Sequence, residues 1–178
     1  MKKYVCIAAW VVFLSGIAIA EEHRSSTGTV WDGTVRFNPM NLMLNLNSGL
    51  PGIDVTWTHY IMPNLGIPLE LDIAFGWGLL PAMEAALLSG VEYISLGPRE
   101  KNGLFLSAKA GVSLYTFNSD YYNVVKFACD SKIDVGYQLL SQKGFVFTPA
   151  VGLSYNTRSG FGVDIMLDTG FAYKGKTK

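Results

Sequence analysis

Cysteine, histidine and long apolar runs are all scarce in this chain. Of 178 residues, two are cysteine, Cys6 and Cys129, and two are histidine, His23 and His59. Two cysteines cannot build a disulfide framework or a four-thiolate zinc centre. No Cys/His cluster with metal-ligand spacing and no phosphate-cradling glycine loop is present either, so neither a metal nor a cofactor is expected. Charge of one sign is missing too: the formal net charge is zero, which leaves no basic field to hold nucleic acid. Beyond residue 20 there is no run of 18 apolar residues, which excludes a spanning helix. Yet 49% of the residues are hydrophobic, 13% are aromatic and only 16% are charged, far too apolar a mixture for a disordered chain.

The first 20 residues account for part of that apolar content. Lys2 and Lys3 precede an apolar stretch from Tyr4 to Ala20 that closes on Ala18-Ile19-Ala20 before Glu21-Glu22. A basic start, a hydrophobic middle and small residues beside the cut make a secretory signal peptide, residues 1–20, with cleavage expected after Ala20. Cys6 lies ahead of the hydrophobic stretch instead of after it, so lipidation is not expected. Removal of this segment leaves twelve basic against fourteen acidic residues, and one cysteine.

What is abundant is alternation. Leu69, Leu71, Ile73, Phe75 and Trp77 interleave with Glu70, Asp72, Ala74, Gly76 and Gly78. The same period of two runs through 145–156 and 161–173, where Val151, Leu153, Val163, Ile165 and Leu167 oppose Gly152, Ser154, Asp164 and Asp168. Stretches at about 40–47, 53–60, 85–96, 104–117 and 125–139 follow the rule, giving eight strands. Short turns rich in Gly, Asn, Pro and Ser join them, and only Pro81–Leu88 has room for a helical turn. With no space for crossover helices, the meander is antiparallel and all-β. The expected organisation is an irregular lead over 21–35 and one barrel over 36–178.

An open meander would expose two long edges, and closure removes both. Which face carries the charges then separates a soluble barrel from a membrane one. The polar parity here is rich in Gly, Ala and Ser, sizes that suit the crowded axis of a narrow barrel, so the bulky apolar parity is the outside. Gly152, on the inner parity, is read as tolerating a serine. Aromatics at strand ends (Trp57, Trp77, Tyr93, Tyr137, Phe145, Tyr155, Phe161, Phe171 and Tyr173) fit belts at two membrane interfaces. The competing reading is a secreted soluble barrel or sandwich that binds a small apolar ligand.

The hairpin from Gly144-Phe145 to Tyr173 and the Gly111–Tyr115 segment resemble the small eight-stranded bacterial outer-membrane proteins, the group of the OmpA transmembrane domain, OmpX and OmpW. The resemblance implies a single up-and-down transmembrane β-barrel in the outer membrane of a Gram-negative-type envelope, porin-like in architecture and reached by signal-peptide-directed export. Its implied partners are outer-membrane lipid and the assembly machinery that reads a terminal aromatic. This chain continues past Tyr173 with Lys174-Gly175-Lys176-Thr177-Lys178.

Inside such a barrel the parity collects Asp54, Glu70, Asp72, Glu92, Asp130, Asp134, Asp164 and Asp168 against Lys109, Lys126 and Lys132, a surplus of five acids. Two uses follow. Cross-strand pairing of Lys109 with Glu92, Asp130 or Asp134 would plug the interior and leave a non-enzymatic structural or adhesive surface protein, whereas a hydrated acidic lumen would be a narrow conduit for small or hydrophobic solutes that favours cations over anions. An eight-stranded interior is just wide enough to be filled by side chains, which favours the plug. A lipid-modifying barrel enzyme would need a serine beside a histidine base. His59 shares the outward parity of Trp57, and the Thr58-His59-Tyr60 context offers no serine two residues on, so no catalytic residue is assigned.

Overall fold

A computed structural model describes residues 31–39, 41, 51–62, 64–76, 82–95, 103–119, 122–141 and 143–174. The described residues form β1 (Gly33–Phe37), β2 (Gly52–Met62), β3 (Leu65–Gly76), β4 (Ala82–Ser95), β5 (Gly103–Ser119), β6 (Tyr122–Leu140), β7 (Phe145–Asn156) and β8 (Gly160–Tyr173). Each strand pairs antiparallel with the next, and β1 pairs with β8, so the sheet closes in simple up-and-down order. The all-β, eight-stranded expectation is met.

Register fixes the shape of the tube. Asn156 of β7 faces Asp130, and the ladder continues through Gly111, Leu88, Glu70, Thr56, Arg36 and Gly170 to return to β7 at Val146. One circuit therefore slips by ten residues, 156 to 146. With strand spacings of ~4.7 Å and a rise of ~3.3 Å per residue, eight strands at that shear tilt by about 41° around a radius of about 8 Å. The twelve residues from Phe145 to Asn156, eleven steps of the chain, then climb about 27 Å along the axis, close to the ~25 Å apolar band of a membrane barrel.

Side-chain direction follows parity. Leu104, Leu106, Val112, Ile133, Val135, Val151, Leu153, Val163 and Ile165 are exposed on the outer wall, while Arg36, Glu70, Glu92, Lys109 and Asp134 are buried inside. Such a distribution is inverted relative to a soluble barrel, and it removes the soluble ligand-binding reading. Aromatics rim the band. At the end where β1 starts and β8 finishes, Phe145 meets Phe171 edge-on at 5.9 Å and the Trp57 indole N–H donates to the Tyr173 hydroxyl at 2.7 Å. At the other end, Tyr155 and Phe161 stack at 4.8 Å. Tyr93 and Tyr137 also lie exposed on the outer face, and Trp77 lies outside the described residues.

Three expectations change. The wall begins at Gly33, inside the stretch read as an irregular lead, and the strand expected at 40–47 falls almost wholly outside the described residues. No helical turn forms within the described part of 81–88, because β4 starts at Ala82 and its Met83, Ala85 and Leu87 continue the outward alternation. Gly152 has no room for a side chain: a Cβ there would overlap the Ile133 carbonyl and the Asp134 carboxylate.

These placements give a test of the two faces. Leu153 is 62% exposed on the outer wall, and Leu153→Arg should cost about 2–4 kcal/mol near mid-membrane. Urea titration after refolding into lipid vesicles should show that loss, and Gly152→Ser should be destabilised too. A Leu153→Arg protein as stable as wild type would contradict the lipid-facing assignment.

Candidate functional site in the barrel lumen

Bulky inward side chains in a tube of this radius need small neighbours, and glycine supplies them. Arg36 faces Gly170 across β1 and β8, Lys109 faces Gly90 across β4 and β5, and Phe105 faces Gly136 across β5 and β6. Both Gly90 and Gly170 lie so close to the neighbouring backbone that a Cβ would overlap it. The inner glycines are therefore the space into which the charged side chains fold.

Layers stack along the axis. Toward the end where β1 starts and β8 finishes, Tyr60, Ile94, Phe105 and Met166 form a buried apolar cluster, with Gln138 donating to the Tyr60 hydroxyl at 3.4 Å. Directly above lies the first ion pair. Arg36 binds Glu92, donates to Thr58 at 3.1 Å, sits 5.2 Å over the Phe105 ring and has Asp168 3.9 Å away. Glu92 accepts further bonds from Thr58 at 3.1 Å and from Tyr60 at 3.3 Å.

A second layer crosses the middle. Glu70 binds Lys109 through one oxygen and Lys132 through the other, the latter at 2.6 Å, and Lys109 also reaches Asp134 at 3.3 Å. Lys132 sits 3.7 Å from Asp164 and 3.9 Å from Asp72. Near the far mouth, Asn41 donates to Asp54 at 3.3 Å, and Asn156 joins Asp130 to Ser113. Nine residues from six strands are thus tied across the bore in two layers. Charges removed from water persist only when paired and hydrogen-bonded in this way.

Asp54, Glu70, Glu92, Lys109, Lys132, Asp134, Asp164 and Asp168 are buried, and Asp72 and Asp130 are partly so. Two members of the network differ from the sequence reading. Lys126 is exposed, because β6 carries it beyond the end of β7. Arg36 was missed, since it sits in a five-residue strand too short to show a period. The surplus of acids therefore stands with Arg36 in place of Lys126. His59 faces outward beside Trp57, ring centroids 6.4 Å apart, on the opposite side of the wall from the inward Ser107 and Ser113.

Outward apolar wall, inward charges and closure at this shear define an eight-stranded outer-membrane type of β-barrel. The crystal structure of Ail, the attachment invasion locus protein of Yersinia pestis, shares this fold: TM-score 0.50 and 14% identity over 79% of this chain and 93% of that one. No family model and no curated protein matches the sequence.

The ion layers predict a large penalty for breaking one pair. Arg36→Met would leave Glu92 without its cationic partner at 0% exposure, so it should lower stability in a urea titration by about 3–5 kcal/mol. Adding Glu92→Gln should restore most of that loss. A double variant no more stable than Arg36→Met would show that the pair is not the unit.

Proposed function

We propose that this protein is a non-enzymatic outer-membrane barrel, delivered by its signal peptide, whose lumen is sealed and whose working surface is the tall hairpin of β5 and β6. The observation that carries this reading is the pair of ion layers lying across the bore above an apolar cluster. A conduit would need a continuous hydrated path, and here Arg36 ties β1 to β4, Lys132 ties β6 to β3 and Lys109 ties β5 to β3. The start of β1 at Gly33 and the end of β8 at Tyr173 sit at the end of the barrel that holds the β2–β3, β4–β5 and β6–β7 connections, which we assign to the periplasm.

At the opposite end β5 and β6 have 17 and 19 residues, against 12 for β7 and 14 for β8. Spanning a bilayer takes only about 9–11 tilted residues. The excess stands above the membrane, where Val125, Lys126 and Phe127 are exposed in succession. Small solutes are the alternative cargo, and the acid surplus around Asp54, Asp72, Asp130 and Asp164 would make any such path cation-selective.

Planar-bilayer recording separates the two. The refolded protein should carry no steady current at neutral pH. A steady cation-selective current that falls in Asp72→Asn and Asp164→Asn would replace the sealed reading with an acidic conduit. On intact cells trypsin should cut at Lys126, as a surface hairpin requires.

A further inference from the structure

We propose that the amino end of the exported chain, Glu21-Glu22-His23, binds one Cu(II) ion on the periplasmic side of the barrel, an inference that rests on the signal-peptide reading above. Cleavage after Ala20 frees the α-amine of Glu21 and makes a histidine the third residue of the mature chain. Residues 21–23 lie outside the described residues, and the site asks only for their order and a free amine. The barrel supplies its address.

Four nitrogens come from three consecutive residues. The Glu21 amine, the backbone nitrogens of Glu22 and His23, and the His23 imidazole Nδ1 close two five-membered chelate rings and one six-membered ring around a single ion. Histidine at any other place breaks that succession. Neither Glu22 nor His23 is proline, so each backbone nitrogen carries a proton to lose. Binding expels the α-ammonium proton and both amide protons, and the two amide charges then neutralise the ion. Only a metal that favours a square-planar nitrogen set offsets the loss of amide protons, which selects Cu(II), with Ni(II) behind it in affinity. The Glu21 and Glu22 carboxylates add negative charge beside the ion. A chain without a Cys/His cluster can hold a metal here because its backbone takes the place of the missing side chains.

The wall begins at Gly33, at the end of the barrel assigned to the periplasm. Just ahead of it the chain is held in place. The Asp32 N–H donates to the Tyr173 carbonyl at 2.9 Å, and the Asp32 carbonyl accepts from the Tyr60 N–H at 2.8 Å. The Lys174 ammonium lies 4.9 Å over the Trp31 ring. Ten residue steps separate Trp31 from Glu21, at most about 35 Å of chain. Tyr60, Ile94, Phe105 and Met166 occupy the bore at that end, so the proposal places Glu21 in the periplasm and outside the barrel. The other histidine of the mature chain, His59, lies in the outer wall beside Trp57. Among the described residues no group of three or more His, Cys, Asp or Glu could hold a metal. A nitrogen-ligated copper signal therefore reports on Glu21–His23.

The test takes the chain exported to the outer membrane and purified from it, reads its first residue by mass spectrometry, and titrates it with copper sulfate in detergent at neutral pH. With Glu21 first, one equivalent of Cu(II) should give the violet d–d absorption of a square-planar nitrogen set. His23→Ala should abolish that band, and His59→Ala should keep it. A leaderless refolded chain that retains a Met ahead of Glu21 should lack the band too, because its histidine stands fourth. Acidification should release the ion, since protons compete for the same nitrogens. A chain that begins at Glu21 and gives no such band, or a band that survives in His23→Ala or in the Met-extended chain, overturns the copper site and leaves the signal-peptide reading standing. A chain that begins elsewhere defeats that reading and the site with it.

Discussion

Closure of the ladder at a shear of ten residues is the constraint on which the rest of the molecule depends. A sheet in hydrocarbon must pair all of its backbone groups, and a ring of strands is the way to do so without edges. Once eight strands close, shear sets tilt and radius together. Tilt decides that about eleven residues cross the apolar band. Radius decides that the bore holds side chains and little else. Each outward position then meets lipid and each inward one meets the opposite wall, so alternation in the chain has a different meaning on its two parities.

That geometry turns the interior into an electrostatic problem with one solution. Inward carboxylates and amines sit within a few ångströms of one another, too confined for full hydration. Glycine across the strand from Arg36 and Lys109 lets long cationic side chains lie over the backbone and reach acids on distant strands. Buried ion pairs are weak contributors to net stability but strong selectors of arrangement. A one-residue slip of any strand would move its inward charges into lipid. For β3, that means Glu70 and Asp72 exchanged with Leu69 and Leu71. The network thus guards the register that closure requires, and the sealed bore proposed above would be its consequence.

Parity was legible in the sequence because lipid and lumen select opposite chemistries at every second residue. Eight strands, the inside-out sense and most inward acids follow from it. Height along the axis was not legible. Lys126 has the inward parity of Lys132, yet β6 lifts it beyond the rim, and alternation carries no information about where a wall ends. Arg36 was hidden for another reason: β1 has five residues and is held by its register with β2 and β8, a long-range relation no local window contains. In β4 the inward Leu88 and Ile94 blurred the pattern because the lumen has apolar layers of its own, and Ile94 packs there with Tyr60 and Phe105.

The unequal lengths of the strands carry a further implication. Nothing in closure or in crossing the membrane asks β5 and β6 to exceed their neighbours, and hairpin residues beyond the rim add no pairs to the barrel. Extra length with only one neighbouring strand is a liability, since unpaired edges invite aggregation and are ordinarily shortened, charged or covered. Here the extension combines β-branched and aromatic residues with a single lysine between Val124 and Ala128, while the β7–β8 turn covers the edge only at Cys129. A feature that costs solubility and adds nothing to the wall is hard to explain as scaffolding. On the sealed-bore reading proposed above, the hairpin beyond the rim is the part of the molecule whose chemistry is left to act on something else.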